Sequence, residues 1–248
     1  YNSYGNGSAM RVSAAGFAAT SIEEAKMLSA KVTEVTHNHP EGMKGAEATA
    51  VAIFLARSGK SILEIQEYIC RNYYKIHFTL DEIRKDYTFD VSCQGSVPQA
   101  FQAFFESNGF EDCIRNAISI GGDSDTIAAI AGGIAEAYYG VPADIRKHAL
   151  TFLDKDQLAI LLAFENKYPP VMEKKVSDVV TIPVERSEDR KVEIGSREAM
   201  MESAIEAADE DVVEATVYSE ETSSQKLFSH LFEACNILRG PINQDEFK

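Results

Sequence analysis

Apolar residues recur at helical spacing through the first two-thirds of this chain, and strict alternation is almost absent before residue 170. Ser21-Ile22-Glu23-Glu24 reads as a serine N-cap with an acidic first turn, and Ala25, Leu28 and Val32 follow on one face. That helix is expected to end near residues 36–40, because Pro40 disfavours helix in the residue before it. A second helix over 45–57 places Ala48, Val51, Ala52 and Leu55 together, and a third over 61–74 aligns Ile62, Ile65, Ile69 and Tyr73. Residues 80–89 are less regular and read as loop. Pro98 suits the first turn of a helix over 99–107, in which Phe101, Phe104 and Phe105 are core. Asn108-Gly109 breaks it. A helix over 110–119 then leads to Gly121-Gly122, and a helix of mostly small residues runs on to Gly140-Val141-Pro142. Two short helices over 143–164 follow, and Pro169-Pro170 closes the unit. The pattern predicts an all-α domain over 1–170.

Beyond residue 170 the pattern changes. Val179–Val184 and Lys191–Ile194 are short β-like runs in a charged linker. Ser196 then caps a helix with Met201, Ile205, Ala208 and Val212 opposite Glu198, Glu202, Glu206 and Asp209, an acidic face that reads as solvated surface. From Lys226 another helix aligns Leu227, Leu231, Ala234 and Leu238 and stops at Gly240-Pro241. The divisions expected are therefore 1–170, an acidic linker and helix over 171–223, and a helical fragment over 224–248.

Composition narrows the classes. The 248 residues are 45% hydrophobic, ample for a packed core, with no apolar run of 18 that could span a membrane. The net charge of −15 argues against nonspecific nucleic-acid binding, which needs basic surface. It is unevenly spread, at −6 over 1–170 and −9 over 171–248. Cys70, Cys93, Cys113 and Cys235 show no CxxC spacing and read as reduced, mostly buried thiols of a cytoplasmic protein. The chain opens on Tyr1 without Met or a signal-like segment, which is the expectation for a fragment or processed piece.

Candidate chemistry gathers in three places. Asp123, Asp125 and Thr126 bring two carboxylates and a hydroxyl to a glycine-hinged turn, the hard oxygen donors that Mg²⁺ or Ca²⁺ prefers. The competing reading is an ordinary acidic helix cap. Residues 1–11 are rich in Gly, Asn and Ser, as in a loop whose backbone N–H groups and φ > 0 conformations form an anion nest, or as in an ordinary turn. His37-Asn38-His39 has His-x-His spacing with no nearby Cys, which speaks against zinc. Cys93 has no evident base and is read as a buried thiol.

Three stretches together resemble the ADP-ribosylglycohydrolase family: Tyr4-Gly5-Asn6-Gly7-Ser8-Ala9-Met10-Arg11, Thr36-His37-Asn38-His39-Pro40-Glu41-Gly42, and Ser119-Ile120-Gly121-Gly122-Asp123-Ser124-Asp125-Thr126 with the Ala-Gly-Gly run and Ala137-Tyr138-Tyr139-Gly140. The resemblance covers about residues 1–168, roughly the C-terminal two-thirds of the family domain, and implies an incomplete orthogonal helical bundle. It implies that Ser3, Tyr4, Gly5, Asn6, Gly7 and His37 bind ADP-ribose, and that Asp123, Asp125 and Thr126 hold part of a two-Mg²⁺ site. It leaves His39 to order the loop and Arg11 to pair with either phosphate or a structural partner. The expected reaction is Mg²⁺-dependent hydrolysis of the bond from ribose C1″ to a modified protein side chain or small leaving group, with an assisting carboxylate whose position is unknown. The family's Thr-Asp-Asp type motif is absent from residues 1–248, so little or no activity is expected of this chain alone. Residues 231–240 and 245–248 resemble the N-terminal helical region of type I restriction-modification methyltransferase subunits, without a cofactor loop or an Asn-Pro-Pro motif. Two other classes therefore stand beside the hydrolase: a non-catalytic ADP-ribose-binding module, and an interaction protein of a restriction-modification system.

Overall fold

The computed structural model describes residues 1–170 of the chain as helices joined by short loops. In order these are α1 (Gly7–Met10), α2 (Ser13–Ala18), α3 (Ile22–Thr33), α4 (Pro40–Arg57), α5 (Ile62–Asn72), α6 (Leu80–Ile83), α7 (Cys93–Phe105), α8 (Phe110–Ser119), α9 (Ser124–Tyr139), α10 (Ala143–Leu150) and α11 (Lys155–Lys167). The domain is all-α. Strand-like pairing among the described residues is limited to one antiparallel bridge, Gly5 with Ser92. The linker, the acidic helix and the helix around Leu231 lie outside the described residues.

Two helices form the centre. α9 buries 12 of its 16 residues, among them Ile127, Ile130 and Ile134 at zero exposure. Ala and Gly at most other positions let α4, α7 and α8 approach its axis closely. Gly133 shows how closely: a Cβ there would lie 2.6 Å from Ser13 Oγ of α2. α4 answers with Ala48, Val51, Ala52 and Ile53, and Gly16 of α2 lies against it where a Cβ would meet the Ala50 carbonyl oxygen at 2.6 Å. Phe101 and Phe104 of α7 are fully buried, and full burial of each such ring contributes about 1.5–3 kcal/mol.

Helix starts follow side-chain capping. Ser21 Oγ accepts from Glu24 N–H, and Ser61 with Glu64 and Thr79 with Glu82 form reciprocal capping boxes. The second of these makes α6 a short helix where the sequence suggests loop. α4 starts five residues before the expected position, because His39 Nδ1 accepts from Glu41 N–H and Pro40 takes the first helical position, where its missing N–H costs nothing. α7 likewise starts at Cys93, with Ser92 Oγ accepting from Gly95 N–H, so Pro98 lies inside the helix. Residues 7–10 and 13–18, read as loop or left unassigned from the pattern, are short helices.

α10 and α11 lean on the core through partly buried Ile145 and Phe164, and α11 has no fully buried residue. Arg146 of α10 bonds Glu165 of α11 at 2.6 Å, and both influence Glu136 of α9 together with Arg57 of α4. Burial pushes the Glu136 carboxyl up to about 7; Arg146 and Arg57 pull it down, and Glu165 adds to the rise. A raised carboxyl value means the folded state holds its proton more tightly than the unfolded state does. The stability this provides is complete below the ordinary value of 4.5 and is lost as pH rises through about 7. Glu136→Gln removes the ionisation, so its melting temperature relative to the unsubstituted protein should rise between pH 5 and pH 8, measured by thermal denaturation across that range.

Candidate functional site

The opening loop is docked by its backbone. Asn6 N–H donates to Val91 C=O at 2.7 Å, and Cys93 N–H donates to Tyr4 C=O at 2.9 Å, on either side of the Gly5–Ser92 bridge. Asn2 N–H bonds Asn38 Oδ1 at 2.7 Å, and Ser8 Oγ donates to Gly42 C=O at 2.9 Å, which fixes the loop against the start of α4. Ser3 Oγ accepts from Gly5 N–H at 3.2 Å, and the half-exposed Tyr4 ring meets the His39 ring edge-on at 5.4 Å.

The glycines of this loop work through space rather than through φ. Gly5 and Gly7 do not take positive φ; in this loop Asn2 does, at 51°. This corrects the expectation of a glycine nest. A Cβ built on either Gly5 or Gly7 would lie 3.5 Å from His37 Nε2, so their lack of side chains keeps the region beneath the imidazole open.

His37 is aimed there by its other nitrogen. Nδ1 lies 2.7 Å from Thr36 Oγ1 and 3.3 Å from the Arg11 guanidinium, which also bonds Thr36 Oγ1. A guanidinium can only donate, so Nδ1 accepts and the neutral ring carries its proton on Nε2, a tautomer assigned from this network. Burial pushes the His37 pKa below its ordinary value and Arg11 adds to the effect, which keeps the ring neutral. The Arg11 alternatives resolve in part: its guanidinium orders Thr36 and His37.

The second half of the site begins at Gly121 and Gly122, with φ of 69° and 66°. A Cβ at Gly122 would sit 2.4 Å from Tyr87 Cε1, so both conformation and space exclude a side chain. The turn delivers Asp123, 9% exposed, to the N-cap position of α9. Its carboxylate makes no cap bond to the helix, which removes the ordinary cap reading for this residue. Instead it faces the carboxyl of Asp125 and the hydroxyl of Thr126. Burial raises the Asp123 pKa, Asn6 lowers it by hydrogen bonding, Asp125 adds to the rise, and Thr126 opposes it. Two carboxylates and a hydroxyl converging on one turn suit a hard divalent cation such as Mg²⁺. Among the described residues there is no group of three or more His, Cys, Asp or Glu side chains that could hold a metal.

Asn6 joins the halves. Its Nδ2 donates to Asp123 Oδ2 at 2.6 Å and to Ser96 Oγ at 2.9 Å, with Asp90 C=O at 3.3 Å. The side chain expected on the ligand is thus turned inward at 7% exposure. Tyr87, Asp90 and Ser96 escape the sequence reading. Tyr87 packs on Gly122 and donates to Gly95 C=O at 2.8 Å, and Ser96 donates to Asp90 C=O at 2.8 Å. A residue pair of glycines facing an aromatic is the kind of signal that could have pointed to Tyr87; nothing periodic marks Ser96. Cys93 is fully buried with its thiol pushed up to about 11, and it contacts Ser8 Oγ and Gly5 C=O, as befits a structural thiol.

The ADP-ribosylglycohydrolase family model matches residues 1–170, the whole of the described domain. The mouse protein named ADP-ribosylhydrolase ARH3 is 28% identical over 63% of this chain and 56% of its own length. An uncharacterized Archaeoglobus fulgidus protein is 33% identical over 53% of this chain and 48% of its own. The Pseudomonas putida protein named ADP-ribosylarginine hydrolase Tri1 is 31% identical over 55% and 39%, so the chain spans about half the length of the curated relatives it matches, or less. The docked opening loop, the aimed histidine and the paired carboxylates all fall within the matched residues, and on that match the chain belongs to the ADP-ribosylglycohydrolase family.

Proposed function

We propose that this chain carries the ADP-ribose side and one metal-binding side of an ADP-ribosylglycohydrolase acting on an ADP-ribosylated protein or small conjugate. The observation that supports this best is the 2.6 Å bond from Asn6 to Asp123, which makes the opening loop and the paired carboxylates one site. A diphosphate or ribose oxygen beneath His37 would accept from Nε2–H, in the space left by Gly5 and Gly7, with Ser3 and Tyr4 alongside. Asp123, Asp125 and Thr126 would hold Mg²⁺, one or both ions of a pair. Bound there, the ions would supply orientation of the ribose hydroxyls and activation of water. Hydrolysis breaks the C1″ bond, water adds to C1″, and the leaving group departs with a proton. The names of the mouse and Pseudomonas putida relatives describe hydrolases of this class. Free Cys70, Cys93 and Cys113 suit a reducing, cytoplasmic setting, and no helix among the described residues is long and apolar enough to cross a membrane.

A non-catalytic ADP-ribose-binding module is the second reading, favoured by the partial donor set. Calorimetry and turnover separate the two. The 248-residue chain should bind ADP-ribose, and His37→Ala should weaken binding about 10–100-fold, the loss of one hydrogen bond to a charged acceptor. Unchanged affinity in that variant would remove His37 from the ligand. NMR titration should place His37 below 6.5, and Arg11→Gln should move it back toward that value. Because residues 1–248 contain no Thr-Asp-Asp run, release of ADP-ribose from ADP-ribosylated protein by this chain alone should be at background. Robust release would show that Asp123, Asp125 and Thr126 suffice.

A further inference from the structure

The Asn6 amide has two hydrogens and three acceptors around it: Asp123 Oδ2 at 2.6 Å, Ser96 Oγ at 2.9 Å and Asp90 C=O at 3.3 Å. Which way such an amide faces is decided by its partners. Asp90 C=O can only accept, and Ser96 Oγ–H donates to it at 2.8 Å, so the Ser96 lone pair is left to face Asn6. The relay runs from Asn6 Nδ2–H to Ser96 Oγ–H to Asp90 C=O. With one N–H committed to Ser96, the other is directed at Asp123. Were the amide reversed, its oxygen would oppose the carboxylate and leave the serine without a donor. Ser96 is fully buried on the first turns of α7, in a helix whose start is fixed by the Ser92 cap. Asp90 is fixed in turn, because its Oδ1 accepts from Ser92 N–H at 2.7 Å. Its Oδ2 fills the place a Gly95 Cβ would need, 2.0 Å away.

We propose that Ser96 is a positioning residue for the cation-binding carboxylate, fixing the Asn6 amide so that Asn6 holds Asp123 toward Asp125 and Thr126. The consequence for the ion rests on the reading given under Proposed function; the consequence for the amide does not. Ser96 touches neither ligand nor ion. Its influence passes through one side chain, so it should vanish when that side chain is removed.

The test uses the 248-residue chain with two readouts. First, in ¹⁵N-labelled metal-free protein, the Asn6 side-chain amide is identified by its disappearance in Asn6→Ala. Its exchange with solvent should be at least about fivefold faster in Ser96→Ala, as expected for loss of one neutral hydrogen bond. Ser96→Cys, which fills the space but accepts hydrogen bonds weakly, should give most of the same change and so separates bonding from packing. Second, Mg²⁺ titration by calorimetry should show affinity reduced about 10–100-fold in Ser96→Ala, the usual cost of losing a partner of a metal ligand. In the Asn6→Ala background Ser96→Ala should add nothing. An unchanged amide signal in Ser96→Ala overturns the proposal, as does an equal loss of affinity in the presence and absence of Asn6. If the unsubstituted chain binds no Mg²⁺, the cation reading fails instead, and the amide exchange alone decides for or against Ser96.

Discussion

The near-complete burial of α9 is the constraint from which the site follows. A helix of 16 residues with 12 buried cannot shift or rotate without opening contacts to α4, α7 and α8 at once. Its side chains are mostly Ala, Gly and Ile, so neighbouring backbones come close and the fit leaves little slack. The N-terminus of this rigid element is where Asp123, Asp125 and Thr126 sit. Floppy loops would hold three oxygens only loosely in register; a helix start packed from several directions holds them in place. The positive φ values at Gly121 and Gly122 turn the chain into that start, under the Tyr87 ring.

The carboxylates themselves are an unfavourable arrangement that the surroundings temper. Two acids facing each other in a mostly buried place resist simultaneous ionisation. Asn6 donates to Asp123 and favours its charged form, and Thr126 acts in the same direction, against burial and the neighbouring Asp125. A divalent cation would satisfy both carboxylates at once. The fold thus keeps two acids close at the start of its most buried helix, at a cost that Asn6 only partly offsets.

How much of this could be read from residue order depends on distance along the chain. Helix existence was readable for the longer helices, since it rests on local spacing and on caps such as Ser21 and Ser61, but the short helices α1, α2 and α6 were missed. Boundaries failed at the prolines. Pro40 and Pro98 look like stops or first turns in isolation, but His39 and Ser92 cap the helices that contain them. The three oxygens after Gly121-Gly122 are contiguous, so their meeting was visible. The role of Asn6 was not, because its partners at Asp90, Ser96 and Asp123 are brought together only by tertiary packing. Nor did the glycines of the opening loop reveal whether they served backbone conformation or open space. That distinction depends on where the His37 ring lies.

The bond between Asn6 and Asp123 closes a separation of 117 residues. Contacts that span so much chain are costly in loop entropy and tend to form after local helices and their nearest packings. The acidic pair therefore depends for its amide partner on the packing of α7 and α9 against the opening loop. A molecule that kept its helices but lost their packing would lose this bond while most of its local structure survived. The state of the Asn6 amide would then report on whether the tertiary packing is complete.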